Sequence, residues 1–231
     1  MLVKSSPVAS KQRYGPSRQA LVFQAFTNIR GSLGGGPDRL DAEEGEVIEG
    51  HLVWIDLEMT GLDPTDCTIL EIASIVTDKD LSIVEEGPNL VIHHSDEVLD
   101  AMDEWNRSHH GASGLIAAAK ASTITLAEAE QSTLAFLRRH VEEGSSPLCG
   151  NTIGTDRTFL ARHMPELENF LHYRVIDVSS IKELVKRWYG ESFVPEKNRG
   201  HRALDDIRES IEELKHYRRT VFLPAPQRFE D

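Results

Sequence analysis

Asp56 and Glu58 lie two residues apart in the run "VWIDLEMTGLD", residues 53–63. Val53, Trp54 and Ile55 read as a buried strand, and residues two apart on a strand point to the same face. The stretch therefore aims two carboxylates at one spot beside an apolar core. Two such groups repel, and the pKa of one rises sharply unless positive charge intervenes. Sharing a proton is one escape. A divalent cation is the other, because it inverts the local electrostatics. Hard oxygen donors select Mg²⁺ or Mn²⁺ over zinc. A third arrangement, with Glu58 at the strand's end in solvent, requires neither.

Further acids stand at turning points of the chain. Asp156 sits where "GNTIGTDRTFL" turns from strand into helix. A carboxylate in a helix's first turn is favoured by the dipole, which keeps it ionised. In "HRALDDIRESIEEL", Leu204, Ile207, Ile211 and Leu214 define the buried stripe of a helix. At 3.6 residues per turn, Asp206 lies about 120° from the centre of that stripe on one side and Asp205 about 140° on the other. Asp206 can border the core while Asp205 faces water. His201 precedes Asp206 by five positions, just ahead of the helix.

The elements that must hold these residues alternate in type. Three strand-like runs come first: "HLVWIDLE", "TILEIASIVTD" and "LSIVEEGPNLVIHH". A mostly helical region follows from about Asp96 to Glu143. In it, Thr125 and Glu128 form a capping box, and Leu126, Ala129, Leu134, Leu137 and Val141 recur at helical spacing. "SPLCGN" reads as a short buried strand, "TDRTFLARHM" as a helix and "HYRVIDV" as a strand. The next helix has Ser180 and Glu183 as its capping box, with Leu184, Val185 and Trp188 inward. The last helix runs from about Ala203 to Arg219. The pattern is that of an α/β domain with a mixed sheet.

Charge divides the 231-residue chain. Residues 1–37 hold five cations and no acid, five serines and a "GSLGGGP" ending, and residues 18–30 could form an amphipathic helix. That composition suits a mitochondrial transit peptide; a tail with no address is the plainer alternative, leaving the chain cytoplasmic. Residues 38–50 hold six acids against Arg39 and read as an acidic linker. Since +5 and −5 cancel, the whole net charge of −13 falls on residues 51–231. So acidic a body is poorly suited to long nucleic acid, whose phosphates are attracted by clustered Lys and Arg. No run is apolar and long enough for a membrane span. Cys67 and Cys149 alone exclude a disulfide framework, and no cysteine–histidine cluster has zinc-finger spacing.

"DLE" at 56–58, Asp156 about a hundred residues later, and His201 with Asp206 in an H-x₄-D arrangement resemble the DEDDh 3′→5′ exonucleases. "WIDLEMTGLD", "EIASIVTD", "GNTIGTDRTFL", "MPELE", "HYRVIDVSSIKEL" and "DDIRESIEEL" narrow the resemblance to their oligoribonuclease branch. It covers about residues 52–220; "GESFVPEKNRG" and the tail "LPAPQRFED" match less clearly. The resemblance implies a ribonuclease H-like mixed sheet flanked by helices, within an exonuclease domain at 51–221 followed by a tail at 222–231.

It further implies that Asp56, Glu58, Asp156 and Asp206 hold two Mg²⁺ or Mn²⁺, with His201 as general base. The reaction would take short single-stranded RNA to nucleoside 5′-monophosphates. Leu62 and Trp105 map to a base-stacking wedge at the 3′ end. Tyr173 and Arg174 map to residues acting in trans across a homodimer, and Ser179 to the 5′ phosphate. A short substrate has few phosphates, which answers the objection from charge. Two alternatives remain: a DEDDh exonuclease trimming longer RNA or DNA 3′ ends, and an inactive relative that only binds oligonucleotides. Loss of a carboxylate would favour the second, and none is missing.

Overall fold

The computed structural model describes residues 50–196 and 202–222. The basic leader, nearly all of the acidic linker, His201 and most of the tail lie outside them. The strands are β1 (Leu52–Met59), β2 (Ile69–Thr77), β3 (Ile83–Val91), β4 (Pro147–Gly150) and β5 (His172–Asp177). They form one sheet in the order β3-β2-β1-β4-β5. β1 and β3 each pair antiparallel with β2, whereas β4 pairs parallel with β1 and β5. The sheet is mixed, as expected. Antiparallel neighbours are joined by short turns; parallel neighbours need crossovers, and helices supply them.

The first crossover contains α1 (Asp96–Asp100), α2 (Glu104–Ala112), α3 (Leu115–Ala121) and α4 (Leu126–Leu137). The capping box of α4 is present in both halves. The Glu128 amide donates to Thr125 Oγ1 at 3.2 Å, and the Thr125 amide donates to Glu128 Oε2 at 2.8 Å. The second crossover is α5 (Gly154–His163) followed by α6 (Pro165–Phe170), which begins on a proline and which the apolar periodicity does not reveal. α7 (Val178–Trp188), a 3-10 turn at Glu191–Phe193 and α8 (Ala203–Thr220) complete the described chain.

Two features of α7 differ from the sequence reading. Ser180 does not cap it. The helix begins two residues earlier, and Asp177 at the end of β5 accepts from the Ser179 amide at 2.9 Å and from Ser180 Oγ at 3.0 Å. Glu183 pairs instead with Arg187, one turn along the helix. The inward stripe is Val178, Ile181 and Val185, so Leu184 and Trp188 fall on its flank. Trp188 is 70% exposed.

The sheet is apolar on both faces, and the period of two sorts its residues between them. Val53, Ile55 and Leu57 pack with Leu134, Leu137, Phe159 and Leu160 from α4 and α5. Trp54, Ala73 and Ile75 pack with Val178 and Val185 of α7 and with Ala203, Ile207, Ile211, Leu214 and Tyr217 of α8. Asp56 and Glu58 continue the second series, so they emerge where the layer between the sheet and α8 runs out.

Candidate active site

The register of β1 and β2 sets the site. Trp54 opposes Ile75, Asp56 opposes Ala73 and Glu58 opposes Glu71. The methyl of Ala73 leaves room beside Asp56. Immediately after Glu58 the register shifts, a strand irregularity of the kind that re-aims side chains at the rim of a sheet. From the other layer, the first turn of α8 delivers Asp206, half-buried, while Asp205 is exposed and paired with Arg208 at 2.8 Å. The expected difference in facing between these two adjacent acids is present.

One carboxylate oxygen from each of Asp56, Glu58 and Asp206 lies within 4.8 Å of the other two. Asp156 is buried in the first turn of α5, where its Oδ1 accepts the Leu57 amide at 3.0 Å. That bond ties the α5 acid to the strand segment between Asp56 and Glu58.

Four acids so placed repel, and burial removes the water that would screen them. Burial first, then Asp156, Glu58 and Asp206, raise the Asp56 carboxyl well above its ordinary range. Burial, Asp206 and Glu71 push Glu58 up to about 8. Burial pushes Asp156 up to about 7, although the Leu57 amide and its own helix-turn amide oppose the rise. The sequence reading expected the helix terminus to keep Asp156 ionised; here desolvation outweighs the amide dipoles. The donor set is oxygen-only, anionic and crowded, which fits hard divalent cations. Positive charge at the cluster would lower every one of these pKa values.

Beside Glu58 lies a cavity of about 220 Å³ lined by Leu57, Met59, Gly61, Leu62, Trp105, His109 and His110, among others. Leu62 is 80% exposed and Trp105 69%. Neither is a core residue, and both stand over the same hollow. Trp105 stacks on His109 with ring centroids 4.8 Å apart and planes within 8°. A Cβ at Gly61, next to Leu62, would lie 2.5 Å from Cys67 Sγ, so a larger residue there would force that side chain to move.

Tyr173 and Arg174 lie near the start of β5, one of the two edge strands of the described sheet. Tyr173 is 72% exposed, with the Arg174 guanidinium 5.2 Å above its ring. Ser179 Oγ lies 3.1 Å from Thr152 Oγ1, in the turn that leads into α5. His201 falls outside the described residues.

Three residues at the site escaped the sequence reading. Glu71 is fully buried, and Arg202 grips it. His110, also buried, holds the Met59 carbonyl through Nε2 at 2.9 Å, with Nδ1 3.9 Å from Glu58 Oε2. A signal existed for Glu71: it is the lone charge in "ILEIASIVT", a strand buried along its whole length.

Comparison with known proteins agrees with this geometry. The exonuclease family model RNase_T matches residues 53–214. An oligoribonuclease of Marinobacter nauticus is 58% identical over 173 residues, covering 74% of this chain and 96% of its own. One from Shewanella loihica is 57% identical over 175 residues, covering 75% and 97%. Among solved structures, exonuclease I from Methylocaldum szegediense superposes with a TM-score of 0.57 at 19% identity. Escherichia coli exonuclease I in complex with a 5cy-dA13 oligonucleotide gives 0.56 at 15%. Each covers 74% of this chain, which spans only about two fifths of theirs (41% and 40%). They share its fold.

Proposed function

This chain belongs to the oligoribonuclease family of exonucleases, and from that premise we propose that it is a 3′→5′ exoribonuclease cutting very short RNA to nucleoside 5′-monophosphates. The observation that carries the reading is the convergence of Asp56, Glu58 and Asp206 within 4.8 Å at the end of a core layer. Asp156 backs them. These four would hold two divalent cations, Mg²⁺ or Mn²⁺, which when bound supply Lewis-acid stabilisation of the charge that develops on the phosphodiester oxygens.

The rest is work for the side chains. An imidazole nitrogen of His201 takes a proton from the attacking water as its oxygen bonds to phosphorus. The phosphorus–O3′ bond breaks, and the leaving 3′ oxygen regains a proton. Histidine titrates near neutrality, which suits a general base. Leu62 and Trp105 grip the bases at the 3′ end; stacking tolerates any base because every base has a π-face.

Support for a homodimer comes from exposed apolar residues on the edge strand and the segment after it: Tyr173, Val175, Leu184, Trp188, Tyr189 and Phe193. Pairing through them would bring Tyr173 and Arg174 to the partner's substrate, where Arg174 and Ser179 meet the 5′ phosphate. Residues 1–37 would act as a mitochondrial address joined by the linker at 38–50 to the exonuclease domain. Imaging the tagged chain with and without residues 1–50 tests this, and the same diffuse signal for both would reject it. Among the described residues, no helix is long and apolar enough to cross a membrane.

The central test uses 5′-labelled RNA of graded length. Dinucleotides should turn over faster than roughly 20-nucleotide RNA, which outreaches the few bases one stacking site spans, and EDTA should stop the reaction. Equal turnover on the long RNA would favour the exonuclease that trims longer 3′ ends.

A further inference from the structure

Glu71 is an expensive residue to place where it is. It lies on β2, fully buried, directly opposite Glu58, and like charges facing each other across strands destabilise a sheet. A buried carboxylate without a partner is more costly still. Arg202 compensates it. Its Nε donates to Oε2 at 3.0 Å and Oε1 at 3.2 Å, and Nη2 donates to Oε1 at 2.7 Å. This is a charge-assisted fork, and its geometry is directional in a way that apolar packing is not.

Arg202 is also the residue from which α8 starts. Its carbonyl accepts the Asp205 amide at 2.9 Å and the Asp206 amide at 3.0 Å. One residue thus holds β2 with its side chain and the turn bearing Asp206 with its backbone. Charge points the same way. Asp56, Glu58, Glu71, Asp156 and Asp206 with Arg202 sum to −5 + 1 = −4, the charge that two divalent cations neutralise.

We propose that the buried Glu71–Arg202 pair is a positioning device that sets the register of α8 against β1 and β2, so that Asp206 meets Asp56 and Glu58 closely enough to share cations. The pair touches neither substrate nor reacting atoms; it acts through Asp206. The role rests on reading the acid cluster as a metal site. It predicts a loss in cation affinity and in turnover, with substrate binding spared, because the Leu62–Trp105 pocket is built on other segments.

The test compares the wild-type chain with Arg202→Lys, Glu71→Gln and the double variant Glu71→Gln/Arg202→Gln. Arg202→Lys keeps the compensating charge and gives up the fork, so it retains the fold. Mn²⁺ uptake by the metal-free proteins is read by titration calorimetry, melting by circular dichroism, and kcat and KM on a diribonucleotide. Residues that orient metal ligands typically contribute about 10- to 100-fold in affinity or activity. Each single variant should lose that much in Mn²⁺ affinity and in kcat, with KM held within about twofold. The double variant should be no worse than the worse single one, since the two residues act as a unit. Wild-type uptake of Mn²⁺ with unchanged affinity and kcat in folded variants would overturn the positioning role alone. No Mn²⁺ uptake by the wild-type chain would overturn the metal reading beneath it.

Discussion

The layer between the sheet and α8 has two ends built on the same elements. At one end Trp54, Ile75, Ile211, Leu214 and Tyr217 are buried, and the Trp54 indole N–H is satisfied by Thr77 Oγ1 at 3.0 Å. At the other, two and four residues on along β1, four back from Ile75 along β2 and five back from Ile211 along α8, Asp56, Glu58, Glu71 and Asp206 stand at the margin of the same layer. The strand period runs on unbroken from Trp54 to Glu58, while Asp206 stands to one side of the buried stripe of α8. The apolar end holds the two layers together by burial. The acidic end uses that rigidity to force carboxylates closer than they would settle by themselves. Reactivity here is a destabilised extension of the core.

Asp56→Asn and Asp206→Asn test that contrast with the largest expected effect. Removing one anionic ligand of the cluster should lower hydrolysis of a diribonucleotide by about 10³-fold or more, since metal stabilisation of a developing charge is worth several kcal/mol and each 1.36 kcal/mol is tenfold. The same variants should melt no lower than the wild type when both are metal-free, because a repulsive charge is gone. Loss of activity accompanied by a lower metal-free melting temperature would mean that the acids support the fold after all.

Ile211→Ala tests the other end. Truncating a buried Ile costs about 2–5 kcal/mol, and Ile211 is 1% exposed. Denaturant unfolding should register that loss, while Mn²⁺ affinity of the folded protein stays within about twofold, as for sites that do not share partners. A large drop in Mn²⁺ affinity would show that the two ends are not separable.

This contrast was only partly legible in the sequence. The strands were, because "VWIDLE" and "ILEIASIV" carry apolar runs that bury on both faces. The facing of Asp206 and Asp205 was, because the stripe of Ile207, Ile211 and Leu214 fixes the helix's rotation. The α7 reading was not. Leu184 and Trp188 are as apolar as core residues, and nothing local distinguishes an inward face from one left exposed. Glu71 left a local mark, the lone charge in an apolar strand, but its partner Arg202 is 131 residues away, and a pairing that distant leaves no local pattern. His110 escaped for the same reason: it reaches back to the Met59 carbonyl, 51 residues earlier.

The pH dependence of the metal-free protein offers an intermediate effect. Glu58 rises from 4.5 to about 8 and Asp156 from 3.8 to about 7. An acid with a higher pKa folded than unfolded binds more protons folded between those values, so stability falls as pH rises through the window. On these two groups the metal-free chain is most stable near pH 4 and loses that contribution up to about pH 8. Mn²⁺ replaces the protons, so its stabilisation should grow over the same interval. Melting curves from pH 5 to 9, in EDTA and in Mn²⁺, would check this; parallel curves would remove the electrostatic account of the acidic end.

Asp205→Asn should have the smallest effect, and for that reason it sharpens the comparison most. Asp205 and Asp206 are neighbours of identical chemistry in the same first turn of α8, separated by about 100° of helix rotation. Asp206 faces the carboxylates of β1. Asp205 is exposed and holds Arg208 at 2.8 Å, three residues along. Such a surface pair is worth about 0–1 kcal/mol, and the favourable dipole at a helix start adds about 0.3–1 kcal/mol. Asp205→Asn should therefore lower the melting temperature slightly and leave kcat and Mn²⁺ affinity within about twofold, because charges exposed to water are screened from the site. Asp206→Asn should abolish turnover. If both substitutions damaged catalysis equally, the direction of the side chain would not be what selects the functional acid. The division of this layer into a holding end and a reacting end would then lose its basis in helix geometry.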